Sequence, residues 1–91
     1  MLNKVKTYLR ISHSALDDDL TDTINACLQD LKIYGVRTDD ADPLILNAVK
    51  LYCKAEYTDD PVKAAAYRER YDALKACLGV AGEYKEAGSD E

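Results

Sequence analysis

The chain has 91 residues, enough for one small domain and too few for a catalytic domain joined to a regulatory one. Apolar residue types make up 47% of it and charged types 32%, which is the composition of a folded protein and excludes a disordered one. The net charge of −5 argues against nucleic acid as the main ligand, because neutralising phosphates requires the opposite sign. So small a core is marginally stable, and association with other subunits is expected to stabilise it.

The first predicted element is a short helix whose apolar stripe consists of Leu2, Val5 and Leu9. Residues 1–16 contain three basic side chains and no acidic one, whereas the rest of the chain has nine basic and seventeen acidic side chains. Such polarised charge suits docking in a fixed orientation, although ordinary scatter of surface charge gives the same pattern. The three basic residues are Lys4, Lys6 and Arg10.

The second predicted helix begins at Ala15 or Asp17 and ends at Tyr34, before the stop signal Gly35. Its apolar residues recur at the spacing of one helical face. They are Leu20, Ile24, Cys27, Leu28, Leu31 and Tyr34. Carboxylates in the first turn favour this start, because they interact well with the exposed amides and the helix dipole. These acidic residues are Asp17, Asp18 and Asp19.

Two Asp-Pro pairs, Asp42-Pro43 and Asp60-Pro61, predict the starts of a third and a fourth helix, with aspartate as the cap and proline at the first helical position. Two such starts close together predict a helical hairpin. The third helix is apolar around most of its circumference, so we expect it to be central and enclosed on several sides. Its one polar stripe consists of Asn47, Lys50 and Lys54.

The fourth predicted helix runs from Pro61 to about Leu78, with Gly79 as its stop. It has two apolar faces on opposite sides, so one can close the core and leave the other for a neighbouring subunit. The face of large residues consists of Tyr67, Tyr71, Leu74 and Leu78. The face of small residues consists of Val62, Ala66, Ala73 and Cys77. High helix propensity is the alternative explanation for its alanines.

These elements predict an all-α fold, a small bundle of four helices over residues 1–79, followed by a flexible acidic tail over residues 80–91. No 18 consecutive apolar residues occur, so we expect neither a membrane span nor a membrane partner, and synthesis in the cytosol. Three cysteines match no paired spacing and are interpreted as small core residues in a reducing compartment. They are Cys27, Cys53 and Cys77.

No catalytic residue, metal site or cofactor is predicted. His13 is the single histidine and has no base or nucleophile at a recognisable spacing, so an exposed loop position explains it better. The acidic runs Asp17–Asp19 and Asp39–Asp42 lack the glycine and the final glutamate of a calcium-binding loop, so they are interpreted as caps and solvated turns.

Several segments of the chain resemble the small phage and prophage head–tail connector proteins, also known as DNA packaging proteins. In the first half these are Lys4–Ser12 (KVKTYLRIS), Asp18–Asp22 (DDLTD) and Tyr34-Gly35-Val36. In the second half they are Asp42–Ile45 (DPLI), Ala48–Ala55 (AVKLYCKA) and Tyr67–Lys75 (YRERYDALK). The likeness covers about residues 1–80 and is a pattern of helices without catalytic residues.

The resemblance implies a structural virion protein without a cofactor, made in the bacterial cytoplasm and placed at the head–tail junction. It implies a cyclic homo-oligomer below the portal that extends the DNA channel toward the tail. The expected partners are the portal protein, the next head–tail joining protein and further copies of the chain, with DNA only as the channel contents. The alternative from another class is a small cytosolic regulator or antitoxin-like module that binds one protein through the same amphipathic faces.

A ring requires two different surfaces on each subunit, because adjacent subunits meet head to tail. We expect the small-residue face of the fourth helix to meet the acidic start of the second helix in a neighbour. The predicted interface residues are Val62, Ala66, Ala73, Cys77, Asp17, Asp18 and Asp22. The basic residues expected to dock on the portal or on a neighbour are Lys4, Lys6 and Arg10.

Overall fold

The computed structural model describes residues 1–38 and 42–80, which form four α-helices and contain no β-strand within those ranges. The helices are α1 (Leu2–Leu9), α2 (Asp17–Ile33), α3 (Pro43–Tyr57) and α4 (Pro61–Val80). The all-α prediction and the order of one short helix, one long helix and a hairpin are therefore confirmed. No described helix has the length and apolar character needed to cross a membrane. The predicted tail from residue 81 onward and residues 39–41 of the second acidic run lie outside the described residues.

A left-handed residue ends α1 and turns the chain toward α2. Arg10 has φ 61°, and its backbone N–H donates to the carbonyl oxygen of Thr7 at 3.1 Å. The backbone N–H of Ile11 donates to the carbonyl oxygen of Lys6 at 2.9 Å, which completes a C-terminal cap of the kind that glycine usually provides. Arg10 consequently lies on the surface, at the corner where the chain leaves α1.

The two Asp-Pro pairs cap the helices of the hairpin as predicted. The Asp42 carboxylate accepts a hydrogen bond from the backbone N–H of Leu44 at 2.8 Å, and α3 begins at the following proline. The Asp60 carboxylate accepts from the backbone N–H of Val62 at 2.9 Å and from that of Lys63 at 3.3 Å. Both caps satisfy amides that have no partner inside the helix, so the hairpin starts are set by local chemistry.

Helix α3 packs against each of the other three helices, as its narrow polar stripe predicted. Its buried residues are Ile45, Ala48, Val49 and Cys53. They meet the buried stripe of α2, which consists of Leu20, Ile24, Cys27 and Leu31. Val5, Val36, Tyr71 and Leu78 complete the core. Leu44 departs from the predicted enclosure, because it lies in the exposed first turn of α3 and is 41% exposed.

Gly79 does not end the fourth helix, so that prediction is wrong. Helix α4 continues through it to Val80. A Cβ atom at position 79 would lie 2.5 Å from Cε2 of Tyr34, a distance that real contacts do not tolerate. Glycine here leaves room for the half-exposed ring of Tyr34 at the end of α2, a contact between helices that looks like a stop signal in the sequence.

The Gly79–Tyr34 contact predicts a coupled stability effect. Gly79→Ala in a Tyr34→Ala background should stabilise the subunit by about 1 kcal/mol, because alanine exceeds glycine in helix propensity by about that amount. In the wild-type background the gain should be smaller, since the new methyl group displaces the Tyr34 ring. Urea unfolding of the four proteins measures this double-mutant cycle, and equal effects in both backgrounds would contradict the contact.

Candidate assembly surfaces

The two faces of α4 are separated as predicted. Tyr71 and Leu78 are buried against the core, and Tyr67 and Leu74 are half-buried beside them. The opposite side, which we call the small-residue face, is open to solvent, and its valine is 77% exposed. This face consists of Val62, Ala66, Ala73 and Cys77. Helix α4 thus closes the core with one side and presents mainly small side chains on the other, where the exposed Glu69 lies between Ala66 and Ala73.

The cysteines divide between the core and the small-residue face. Cys27 and Cys53 are buried, and burial raises the pKa of each thiol to about 12. Cys77 is exposed, so its interpretation as a core residue is wrong. Helix α4 is apolar on two sides, so the sequence alone did not show which side is buried. The side with the large residues packs against the core, and Cys77 lies on the other side.

This division predicts thiol reactivity in the native protein. One thiol per chain, that of Cys77, should react rapidly with an aromatic disulfide reagent, because the thiolate is the reactive form and the two buried thiols stay protonated. All three should react after denaturation in urea. Cys77→Ser should abolish the fast phase, and a fast phase that persists in this variant would contradict the assignment.

The acidic start of α2 has one half-buried residue, and its other acidic residues are exposed. Asp17 is half-buried, and its Oδ1 lies 2.7 Å from Nζ of Lys6. Asp18 and Asp22 are exposed. The structure therefore brings together Asp17 and Lys6, which were predicted for different contacts, in an ion pair that orients α1 on α2. Lys4 and Arg10 remain exposed.

A polar cluster fixes the position of α4 on α2. The buried Tyr71 hydroxyl donates to Oδ2 of Asp30 at 2.6 Å, and Nζ of Lys75 lies 3.0 Å from the same oxygen. The hydrogen bond from Tyr71, followed by that from Lys75, holds the pKa of Asp30 below its ordinary value of 3.8. Burial, with the bond to Asp30, raises the pKa of the Tyr71 phenol. By holding this side of α4 inward, the cluster turns the small-residue face outward.

Asp30 should make stability depend on pH at the acidic end. Its pKa is lower in the folded than in the unfolded chain, so its stabilising contribution is present at neutral pH and is lost as the pH falls below 3.8 through the folded value. Wild type should therefore exceed Asp30→Asn in urea midpoint at neutral pH, with a difference that shrinks through this range. Urea titrations across that pH range measure it, and a pH-independent difference would contradict the role.

Two of the four basic side chains on α4 form ion pairs within the subunit. Arg68 lies 2.5 Å from a carboxylate oxygen of Glu56 on α3, and its guanidinium stacks 4.8 Å from the centre of the Tyr52 ring. Lys75 binds Asp30, as described above. Lys63 and Arg70, on the flank that adjoins the small-residue face, have no carboxylate partner among the described residues. This flank is therefore the part of α4 with free positive charge.

Two grooves open at the helix junctions. A groove of about 390 Å³ lies between the end of α1, the loop before α2 and the end of α3, and its walls include Leu9, Leu16 and Tyr57. A second groove of about 270 Å³ lies where α1, α3 and α4 meet. We call the second one the basic groove, because Lys50 and Arg70 line it.

His13 and the acidic residues form no metal site in the part of the chain that the structure describes, where no three His, Cys, Asp or Glu side chains come together. His13 Nδ1 instead accepts a hydrogen bond from the backbone N–H of Ala15 at 3.3 Å, in the loop before α2.

The described residues thus form a small all-helical protein with an exposed small-residue face on α4 and a basic groove beside it. A family model described as phage connector protein matches residues 1–85. The chain belongs to this family, which confirms the resemblance drawn from its helix pattern, and its role is that of a structural connector component of a phage. No curated protein and no solved structure matches the chain.

Proposed function

We propose that the chain forms a closed ring of identical subunits below the portal of a tailed-phage head. The ring extends the DNA channel toward the tail and joins the portal protein to the next head–tail joining protein. The observation that carries this proposal is the exposed small-residue face of α4, in a chain that belongs to the connector family. A ring subunit requires a second adhesive surface of this kind, because adjacent subunits in a ring meet through unlike patches.

The ring contact uses two unlike surfaces, as every cyclic assembly does. One is the small-residue face, where Val62 is the largest exposed apolar side chain. The other is the outer side of the α2 start, where Asp18 and Asp22 are exposed. Asp17 lies next to this second surface but contributes no free carboxylate to the contact, because its carboxylate forms an ion pair with Lys6.

The first helix docks the ring on the portal or on a neighbour. Lys4 and Arg10 are exposed and suit an acidic partner surface, while Lys6 holds α1 in place through its ion pair. The net charge of −5 agrees with DNA as the contents of the channel and not as a bound ligand, because an acidic subunit does not retain phosphates.

Deleting the gene from the phage or prophage genome that encodes the chain tests this function. We expect DNA-filled heads that fail to join tails, a loss of infectivity, and rescue by the wild-type gene supplied in trans. Normal tailed particles after deletion would contradict the proposal. Recovery of the chain in a complex with one cellular protein, and not in particles, would point instead to a regulator.

A further inference from the structure

The basic groove concentrates positive charge that the subunit does not neutralise. Its walls come from three helices, and its lining residues are Tyr8, Asn47, Lys50, Leu51, Arg70 and Leu74. The ammonium groups of Lys50 and Lys54 each lie 5.6 Å from the centre of the Tyr8 ring. Two like charges one helical turn apart repel each other, so an anion bound between them would relieve that repulsion.

These cations differ from the others that lie at helix contacts. Lys6, Arg68 and Lys75 each have a carboxylate partner. Among the described residues, Lys50, Lys54 and Arg70 have none; Asp59 shares the neighbouring groove with Lys54 without pairing with it. In a chain with a net charge of −5, these three cations form a local positive patch at the junction of three helices.

The chain also has an acidic surface that is complementary in charge to the basic groove, on the outer side of α2. At about 100° per residue, Asp18 and Asp22 fall on the side of α2 opposite the buried Leu20 and Ile24. Both are exposed and have no cationic partner among the described residues. The outer side of α2 therefore faces away from the core and from the groove, so the two surfaces can meet only between two copies.

The groove is continuous with the small-residue face of α4. Around that helix Arg70 lies between Leu74, which lines the groove, and Ala66 and Ala73 of the small-residue face. A neighbour's helix lying across this side would contact the small-residue face and the basic groove together. Such a combination of apolar packing with complementary charge at its edge fits a protein helix better than a phosphate backbone.

We propose that the basic groove receives the outer acidic side of α2 from a second copy of this chain. The inference deepens the proposed function and rests on it, because it names the charged part of the ring contact. Groove and acidic side are different surfaces, so each subunit uses the groove toward one neighbour and α2 toward the other, and the arrangement can close into a ring.

Charge reversal tests the pairing. Lys50→Glu/Arg70→Glu reverses the groove, Asp18→Lys/Asp22→Lys reverses the acidic side, and the quadruple variant reverses both. Sedimentation velocity at low ionic strength should show each double variant losing on the order of tenfold or more in self-association, since close opposite charges become like charges. The quadruple variant should regain association, and so should an equimolar mixture of the two double variants.

Matched variants separate charge from folding. Arg37→Glu changes the net charge in the same direction at an exposed cation in the loop after α2, away from the groove and from the acidic side of α2, and should leave association nearly unchanged. Asp18→Asn/Asp22→Asn avoids placing lysine at a helix start, and should weaken association while lowering the melting temperature only slightly, because Asp18 loses its favourable interaction with the helix dipole.

Four results would overturn the inference. Wild type could stay monomeric up to about 1 mM, a concentration at which even weak specific contacts are populated. The quadruple variant could fail to regain association. A short DNA duplex could bind the monomer and lose binding in Lys50→Glu/Arg70→Glu, which would assign the groove to phosphates. If Lys50→Glu/Arg70→Glu still joins heads to tails in particles, the proposed function stands while this contact fails.

Discussion

Aspartate in place of Val49 is expected to leave the subunit unfolded under native conditions. Val49 is fully buried in the helix that packs against all the others. A carboxylate there has no partner, and burying it without one costs several kcal/mol. That cost is comparable with the whole stability of a small domain, which is about 5–15 kcal/mol and lower for a core of this size.

Far-UV circular dichroism and thermal unfolding measure this effect. The matched control is Val62→Asp, because Val62 is also in a helix but is 77% exposed. We expect the control to keep the wild-type helical signal and nearly the wild-type melting temperature. A Val49→Asp protein that melts like wild type would show that α3 does not occupy the centre of the bundle.

Glutamate at both Ala66 and Ala73 is expected to abolish assembly while leaving the fold intact. Both alanines are exposed, and glutamate is a good helix former, so the subunit should keep its melting temperature. At a subunit contact the two carboxylates would be desolvated beside an already acidic chain, which costs several kcal/mol per contact. We expect the variant to fail in rescuing the gene deletion and to be missing from particles.

Ala65→Glu/Ala76→Glu is the matched control for this variant. These alanines are also exposed on α4 and lie toward Asp72, about 70° to 90° around the helix from the centre of the small-residue face. The control should rescue particle assembly. If Ala66→Glu/Ala73→Glu folds and rescues normally, the small-residue face does not take part in the contact. If it fails to fold, the inner and outer faces of α4 have been exchanged.

Local chemistry explains why the helices could be predicted from the sequence. An Asp-Pro pair starts a helix by itself, because aspartate caps the free amides and proline fits the first turn, and both α3 and α4 begin at such a pair. The apolar stripe of α2 is equally local, since its period alone places Leu20, Ile24 and Leu31 on one buried side.

Contacts between helices could not be predicted in the same way. The pairs Lys6–Asp17 and Tyr71–Asp30 depend on how one helix is placed along another, which no spacing within a helix determines. For the same reason Gly79 looked like a helix end, although its role is to admit the Tyr34 ring. The basic groove also needs residues from three helices at once, so only the packed structure shows it.

A cryo-EM reconstruction of the head–tail junction in purified particles tests the central claim most directly. We predict a closed ring of this chain between the portal and the tail, with the small-residue face of each α4 and its adjoining basic groove against the α2 of the next subunit. Particles whose junction lacks this chain, or holds it in an arrangement that does not close around the DNA channel, would contradict the account.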